Sequence, residues 1–96
     1  MYGTVARMQL KPGSAEKMKD YMGSYERVNI PGFVNTFVYQ TDSDPNVLYM
    51  AVVFDSKESY TANAGDPAQD KRFREMMELL SAEPEWHDGE IIYQMK

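Results

Sequence analysis

The segment of this chain with the clearest chemical potential is residues 86–90, which read WHDGE. His87 is the only histidine, and because histidine titrates near neutral pH it can act as a general base or bind haem iron. Trp86 is the only tryptophan, and its ring can form one wall of a ligand pocket. A structural role is also open, in which Trp86 closes one end of a sheet and His87 lies in solvent.

Asn35 and Arg7 are polar residues within segments that alternate like strands. A buried amide needs hydrogen-bond partners, so Asn35 either orients a carbonyl or phenol of a ligand or bonds across a subunit interface. Arg7 either holds a ligand carboxylate or pairs with one of the 15 acidic side chains. The candidate catalytic residues are therefore His87, Asn35 and Trp86. Arg7 is a candidate substrate contact.

The chain is also rich in soft and aromatic side chains, with eight Met, seven Tyr and four Phe. Methionine fills irregular gaps and adapts to varied apolar ligands, so this composition suits a small core and a ligand pocket alike. The candidate substrate contacts in this group are Phe37, Tyr39, Tyr49, Met76 and Met77. Packing within the sheet and core is the alternative for each of them.

Several other kinds of site find no support in the sequence. The chain has no cysteine, which excludes disulfides, thiolate nucleophiles and Cys-ligated metals. His87 with Asp88 and Glu90 can in principle hold a metal, but the same residues are typical of a polar turn between a helix and a strand. The glycines form no phosphate-binding loop. We therefore expect neither a metal nor an organic cofactor.

Four segments are predicted to be strands, namely residues 2–10, 33–41, 47–54 and 90–95. A short polar loop joins the second to the third, which predicts an antiparallel hairpin. The third segment is apolar on both faces, and such a strand must be covered on both.

Two helical regions separate these strands. The first begins at Ser14, a residue that can cap a helix, and ends near Val28. In the second region, Asp55 and Glu58 have capping-box spacing for a short helix, and Asp66 caps a longer one that starts with proline. Apolar residues at helical spacing form a stripe on the longer helix: Phe73, Met76, Met77 and Leu80.

The resulting order is β-α-β-β-α-β within one domain over residues 1–96. It predicts an α+β, ferredoxin-like fold with a four-stranded antiparallel sheet and helices on one face. Because 96 residues leave nothing to cover the other face, we expect a homodimer through the open sheet face.

Net charge and the distribution of apolar residues argue against several classes of binding partner. A net charge of −5 argues against nucleic acid and against an anionic membrane surface, since both need clustered Lys and Arg. No apolar run approaches the roughly 20 residues of a membrane span, and the first residues lack the pattern of a secretory signal. We expect a cytoplasmic protein whose second partner is a small hydrophobic ligand.

The order and spacing of three short motifs resemble the antibiotic biosynthesis monooxygenase domain family, of the dimeric α/β-barrel superfamily. The motifs are KPG at residues 11–13, PGF at residues 31–33 and FDSKE at residues 54–58, and the WHDGE ending is similar to small members of the family. The resemblance covers essentially the whole chain. It implies a ferredoxin-like protomer whose sheet packs on that of its twin in a dimeric α/β barrel, with a pocket between helices and sheet.

Relatives implied by this resemblance include cofactor-independent oxygenases of aromatic polyketides, haem-degrading enzymes, isomerases and decarboxylases. The haem-degrading relatives use a first-strand asparagine and a helical histidine, whereas this chain has Thr4 and Ala6 on the first strand and its histidine outside the helical stripes. The resemblance thus implies a cofactor-independent oxygenase of a small phenolic substrate. His87 would accept the substrate proton, and Asn35 with a tyrosine would orient dioxygen. The alternatives are a non-catalytic ligand-binding or stress-associated dimer and a haem-binding protein.

Overall fold

The computed structural model describes residues 1–95, and its elements follow the order predicted from the sequence. The strands are β1 (Tyr2–Gln9), β2 (Phe33–Gln40), β3 (Val47–Phe54) and β4 (Glu85–Glu90). The helices are α1 (Ala15–Gly23), continued by a 3₁₀ turn over Ser24–Arg27, then α2 (Lys57–Ala64) and α3 (Pro67–Met77). One antiparallel sheet has the strand order β2-β3-β1-β4, which confirms the ferredoxin-like α+β fold. Within residues 1–95, no helix is both long and apolar enough to cross a bilayer.

The sheet has two distinct sides. On β1, Thr4, Ala6 and Met8 are buried, whereas Val5 and Arg7 on the opposite side are at least partly exposed. Side chains alternate along a strand, and directly paired residues lie on the same side. Each residue of β3 and β4 therefore lies on the same side as its partner on β1, and each residue of β2 on the same side as its partner on β3. We call the side covered by helices the helix face and the other side the open face.

A closed apolar core fills one end of the helix face. Its buried side chains come from β1, β3, α1, α3 and the segments that follow β1 and α3: Met8, Leu10, Met18, Leu48, Met76 and Leu80. Met76, predicted as a substrate contact, belongs to this core, and Met77 packs against it. Burying one such side chain contributes about 1.5–3 kcal/mol. This end of the helix face therefore stabilises the fold.

The sequence predicts the last strand over residues 90–95, but the structure places β4 earlier, at Glu85–Glu90. The pairing register explains the difference. Glu90 is the partner of Tyr2, where β1 begins, so later residues have no β1 residue with which to form a ladder. Residues 86–90 are therefore part of an edge strand rather than the predicted polar turn. All six β4 residues are exposed, which accommodates their polar character.

A bulge in β2 changes the face of one aromatic residue. Simple alternation predicts Phe33 and Asn35 on the same side, but the register shifts between them. Phe33 consequently lies on the helix face, where its ring centroid is 5.9 Å from that of Phe54. Asn35 and the alternating residues after it, Phe37 and Tyr39, lie on the open face.

The helix caps agree with the sequence in part. Asp66 caps α3 through its side chain, as predicted. Helix α2 is capped by Ser56, whose Oγ accepts a hydrogen bond from the Ser59 N–H at 3.1 Å, and not by Asp55. The Asp55 carboxylate instead accepts a bond from the Ser59 hydroxyl at 2.6 Å. Ser14 precedes α1 without a side-chain capping bond.

Gly32 connects the start of β2 to these cap residues, and its replacement by alanine is expected to be costly. Its φ is +80°, and an added Cβ would lie 2.4 Å from the Ser59 side chain and 2.7 Å from an Asp55 carboxylate oxygen. Gly32→Ala should lower the free energy of unfolding, measured with urea, by about 2–4 kcal/mol. Gly13→Ala is the matched control, because Gly13 has φ +78° but no atom within 4 Å of the added Cβ. Gly13→Ala should lower the free energy of unfolding by only about 1–2 kcal/mol. Equal losses of stability in the two variants would contradict the predicted clash at Gly32.

Candidate functional site

A cavity of about 380 Å³ opens on the helix face, at the end opposite the core. This volume falls within the roughly 300–1,000 Å³ of small-molecule sites. The sheet contributes Thr4, Met50, Val52, Phe54, Trp86 and Asp88 to its lining. Helices α2 and α3 contribute the other lining residues: Tyr60, Asn63 and Ala64 from α2, and Gln69, Asp70 and Phe73 from α3.

Three polar side chains from three different elements meet in this cavity. Thr4 of β1 and Asp88 of β4 are cross-strand partners on the helix face. Tyr60 of α2 lies above them, and its hydroxyl donates a hydrogen bond to Asp88 Oδ1 at 2.8 Å. We call Thr4, Tyr60 and Asp88 the polar row.

Thr4 is the deeply buried member of the polar row. It is only 4% exposed, and its Oγ1 has no hydrogen-bond partner among the described residues. Leaving a buried polar group unpaired costs about 1–3 kcal/mol. Because Thr4 lines the cavity, a polar atom of a bound ligand can supply the missing partner.

Tyr60 is held in place by neighbouring aromatic rings and remains protonated. Its ring makes edge-to-face contacts with Tyr2 and Phe54, at centroid distances of 5.2 and 5.5 Å. Burial, followed by the hydrogen bond to the Asp88 carboxylate, raises the pKa of Tyr60 to about 12. The Thr4 hydroxyl lies close enough to oppose this rise slightly, although it makes no hydrogen bond of normal geometry with the phenol. At neutral pH Tyr60 therefore remains a donor to Asp88.

An aromatic wall borders the polar row. Trp86 lies on β4 two residues before Asp88 and thus on the same face. Its ring centroid is 5.8 Å from that of Phe73 on α3, and the two planes are tilted by 50°. Trp86, the residue predicted to form a pocket wall, lines this cavity and is 41% exposed. Such a wall offers the apolar contact area that a flat aromatic ligand needs.

The structure does not bring Trp86 together with the other two candidate catalytic residues. His87 is the partner of Val5, and Asn35 is the partner of Val53, so both lie on the open face. They occupy the two edge strands of the sheet, with β3 and β1 between them. Because Trp86 and His87 are consecutive on β4, they point to opposite faces. Within one protomer, these three residues do not share a cavity.

His87 borders a smaller hollow of about 200 Å³ on the open face. Gly3 and Gly89 are paired there and carry no side chains, which leaves the space that Val5 and other apolar residues surround. Alternation places Asp88 on the opposite face from His87. In the part of the chain that the structure describes, no three His, Asp or Glu side chains are grouped as metal ligands.

The remaining candidate substrate contacts also lie outside the helix-face cavity. Phe37, Tyr39 and Tyr49 are 55%, 62% and 40% exposed on the open face. Arg7 is on the same face, with its guanidinium 4.0 Å from the Glu85 carboxylate. This exposed pair fits the ion-pair interpretation of Arg7, and such pairs contribute little to stability.

The polar row was not identified from the sequence as a unit. Thr4 had one detectable signal, since it is a polar residue in phase with the buried Ala6 and Met8 of β1. The sequence pattern around Asp88 is typical of a polar turn and suggests no contact beyond a possible metal. Tyr60 lies on α2, whose residues show no apolar stripe at helical spacing, so its role could be read only from the structure.

Comparisons with known proteins are consistent with this architecture. The sequence profile of the family described as antibiotic biosynthesis monooxygenase matches residues 1–71. No curated protein matches the chain. Among solved structures, a candidate antibiotic biosynthesis monooxygenase from Chloroflexus aurantiacus J-10-fl is 23% identical, with a TM-score of 0.80 over 99% of this chain and 96% of that one.

Two further solved structures share the fold. A conserved protein from Methanosarcina mazei Go1 is 22% identical, with a TM-score of 0.79 over 92% of this chain and 89% of that one. A variant of SnoaB, a cofactor-independent oxygenase from Streptomyces nogalater, is 13% identical, with a TM-score of 0.82 over 98% and 95% of the two chains. At these identities the structural matches show the fold alone.

The raised pKa of Tyr60 gives an expected pH dependence of stability. Its phenol should lose its proton near pH 10 in the unfolded chain and near pH 12 in the folded protein. The folded state therefore holds this proton more tightly than the unfolded chain does. The resulting contribution of Tyr60 to the free energy of unfolding is complete below about pH 10 and is lost as the pH rises through about 12. Tyr60→Phe keeps the ring but has no such proton. Its free energy of unfolding should fall less steeply than that of the wild type over this range.

Urea unfolding at a series of alkaline pH values measures this difference. Burial also raises the pKa of Tyr21, but that residue is present in both proteins and its effect cancels in the comparison. Parallel loss of stability in the two proteins would show that Tyr60 does not retain its proton in the folded state.

Proposed function

Because the chain belongs to the antibiotic biosynthesis monooxygenase family, we propose that it is an oxygenase that acts on a small, hydrophobic, phenolic substrate without a metal or organic cofactor. The observation that carries the proposal is the helix-face cavity, with its aromatic wall and its polar row. The shared fold with a cofactor-independent oxygenase is consistent with it.

In such a reaction the substrate itself supplies the electrons that reduce dioxygen. A proton leaves an acidic C–H beside the aromatic rings, and the carbanion adds to dioxygen to give a hydroperoxide. The hydroperoxide loses water and leaves a carbonyl group. One oxygen atom enters the product and the other leaves as water, so no further reductant is needed. The protein must bind the rings, accept the proton and stabilise the anion.

The helix-face cavity provides side chains for each of these tasks. Trp86 and Phe73 offer apolar surface for the rings, and the polar row offers hydrogen bonds to a substrate oxygen. The roles assigned to His87 and Asn35 from the sequence remain predictions. Their position on the open face means that neither reaches this cavity from within its own protomer.

The alternative functions receive less support from the cavity. A non-catalytic ligand-binding protein predicts a pocket without converging polar groups, whereas Thr4, Tyr60 and Asp88 converge here. Haem binding through His87 requires a large pocket beside that residue. His87 borders a hollow of only about 200 Å³, below the usual size of small-molecule sites, which is roughly 300 Å³ or more.

The second part of the proposal is a homodimer formed through the open face. Large apolar side chains from two strands are exposed there, with Val5 49%, Phe37 55% and Tyr39 62% exposed on the protomer. Monomeric proteins rarely expose a contiguous apolar patch of more than a few hundred Å². A two-fold axis lets one such patch cover its own copy, so a second protomer is the occupant that the chain itself provides.

Oxygen uptake with dithranol, a dihydroxyanthrone, tests the oxygenase. The wild-type protein should consume dioxygen above the rate in buffer and form the corresponding anthraquinone, with no effect of a chelator. Trp86→Ala removes part of the aromatic wall and should lower kcat/KM by about 10- to 100-fold, whereas Trp86→Phe should retain most of it. No uptake above the buffer rate would refute the proposed activity for this class of substrate.

Light scattering tests the dimer. The wild-type protein should have twice the 11.1 kDa mass of the protomer at micromolar concentration. Phe37→Asp puts a charge in the proposed interface and should give a folded monomer, because an unpaired charge buried there costs several kcal/mol. Val38→Asp is the matched control, since Val38 is the next residue of β2 and faces the other side. A wild-type monomer, or equal dissociation of both variants, would contradict the proposed interface.

A further inference from the structure

Among the residues that the structure describes, one carboxylate in the lining of the helix-face cavity has no cationic partner. Asp70, on α3, is paired with Arg74 at 2.9 Å. Asp88 makes no salt bridge within residues 1–95, and its identified contact is the 2.8 Å hydrogen bond from Tyr60. A carboxylate has about four hydrogen-bond acceptor sites, so Asp88 has oxygen lone pairs free to contact a ligand after the bond from Tyr60. Asp88 lines the cavity and is exposed to solvent.

We propose that Asp88 is the catalytic residue that accepts the substrate proton, with Tyr60 as its positioning residue. The inference rests on the proposed oxygenase function and assigns its proton transfer. Carboxylates of aspartate remove protons from carbon next to carbonyl groups in other enzymes. The Tyr60 ring is held by Tyr2 and Phe54, so its hydroxyl fixes one oxygen of Asp88 and leaves the other for the substrate.

Thr4 then defines the class of substrate. It lies beside Asp88 in the cavity lining, and its buried Oγ1 has no hydrogen-bond partner within residues 1–95. A substrate that satisfies Thr4 carries a carbonyl or phenol oxygen near the C–H that Asp88 deprotonates. This favours an aromatic ketone or phenol, such as an anthrone, over a hydrocarbon without oxygen.

The proton and electrons balance in this scheme. The C–H bond breaks, the proton forms an O–H bond with Asp88, and the electron pair stays on carbon. The carbanion adds to dioxygen, which is the oxidant, and the protonated Asp88 returns its proton to the peroxide anion. Loss of water from the hydroperoxide then gives the carbonyl product, and the Asp88 carboxylate is ready for another turnover.

Asp88→Asn tests the assignment, because it keeps an acceptor for Tyr60 but removes the base. The kcat for dithranol should fall by about 100-fold or more. Binding of the unreactive anthraquinone product, followed through Trp86 fluorescence, should change by less than about threefold. Added formate should restore part of the rate to Asp88→Gly, a recovery that a purely structural role would not produce.

Four further variants sharpen the test. Glu90→Gln removes a carboxylate from the same strand and face, outside the lining of this cavity, and should leave kcat within about twofold. Thr4→Val should weaken anthraquinone binding by about tenfold through loss of one hydrogen bond, whereas Thr4→Ser should retain it. Tyr60→Phe should lower kcat by about tenfold with little change in KM.

The outcomes separate this inference from the proposed function. If the wild type neither binds the anthraquinone nor consumes dioxygen, the oxygenase proposal fails and the Asp88 assignment fails with it. If the wild type is active and Asp88→Asn retains its rate, the assignment is overturned while the oxygenase stands. The same conclusion follows if His87→Ala, and not Asp88→Asn, abolishes oxygen uptake.

Discussion

The pairing of β1 with both β3 and β4 is the constraint on which the site depends. This register puts Thr4 directly between Val52 and Asp88 on the helix face. A slip of one residue would move Thr4 to the open face, because side chains alternate along a strand. Close contact at Gly3 supports the register, since a Cβ there would lie 1.8 Å from the Val52 carbonyl oxygen. Backbone pairing therefore places Thr4 beside Asp88, and the hydrogen bond from Tyr60 on α2 completes the polar row.

The same alternation divides β4 between two tasks. Trp86 and Asp88 line the cavity, while Glu85 and His87 lie on the open face. Consecutive residues that look like one cluster in the sequence therefore belong to two surfaces. On the open face, His87 falls in a cross-strand row with Val5 and, two strands further, Phe37. The residue with the most obvious chemistry thus lies on the surface proposed for assembly rather than in the cavity.

Local patterns predicted the elements that depend on local forces. The β2–β3 hairpin and the Asp66 cap of α3 follow from neighbouring residues, and the structure reproduces them. The position of β4 depends instead on where β1 begins, which alternation in residues 90–95 does not reveal. Tyr60 reaches Asp88 across 28 positions of the chain, so only the folded structure shows their contact. The sequence does indicate Trp86 as part of a pocket wall, because a large amphipathic ring needs apolar cover and few positions in a small protein provide it.

The two ends of the helix face show a division between stability and binding. At the Met8 end, α1 and α3 close a core of fully buried apolar side chains. At the Thr4 end, β1 carries a buried hydroxyl and β4 an exposed carboxylate, and within residues 1–95 the first has no hydrogen-bond partner and the second no salt bridge. A valine would fill the Thr4 position without the cost of the unpaired hydroxyl, which is about 1–3 kcal/mol. Departures from local stability of this kind are expected where a binding site is formed, and the one at Thr4 lies in the lining of the cavity.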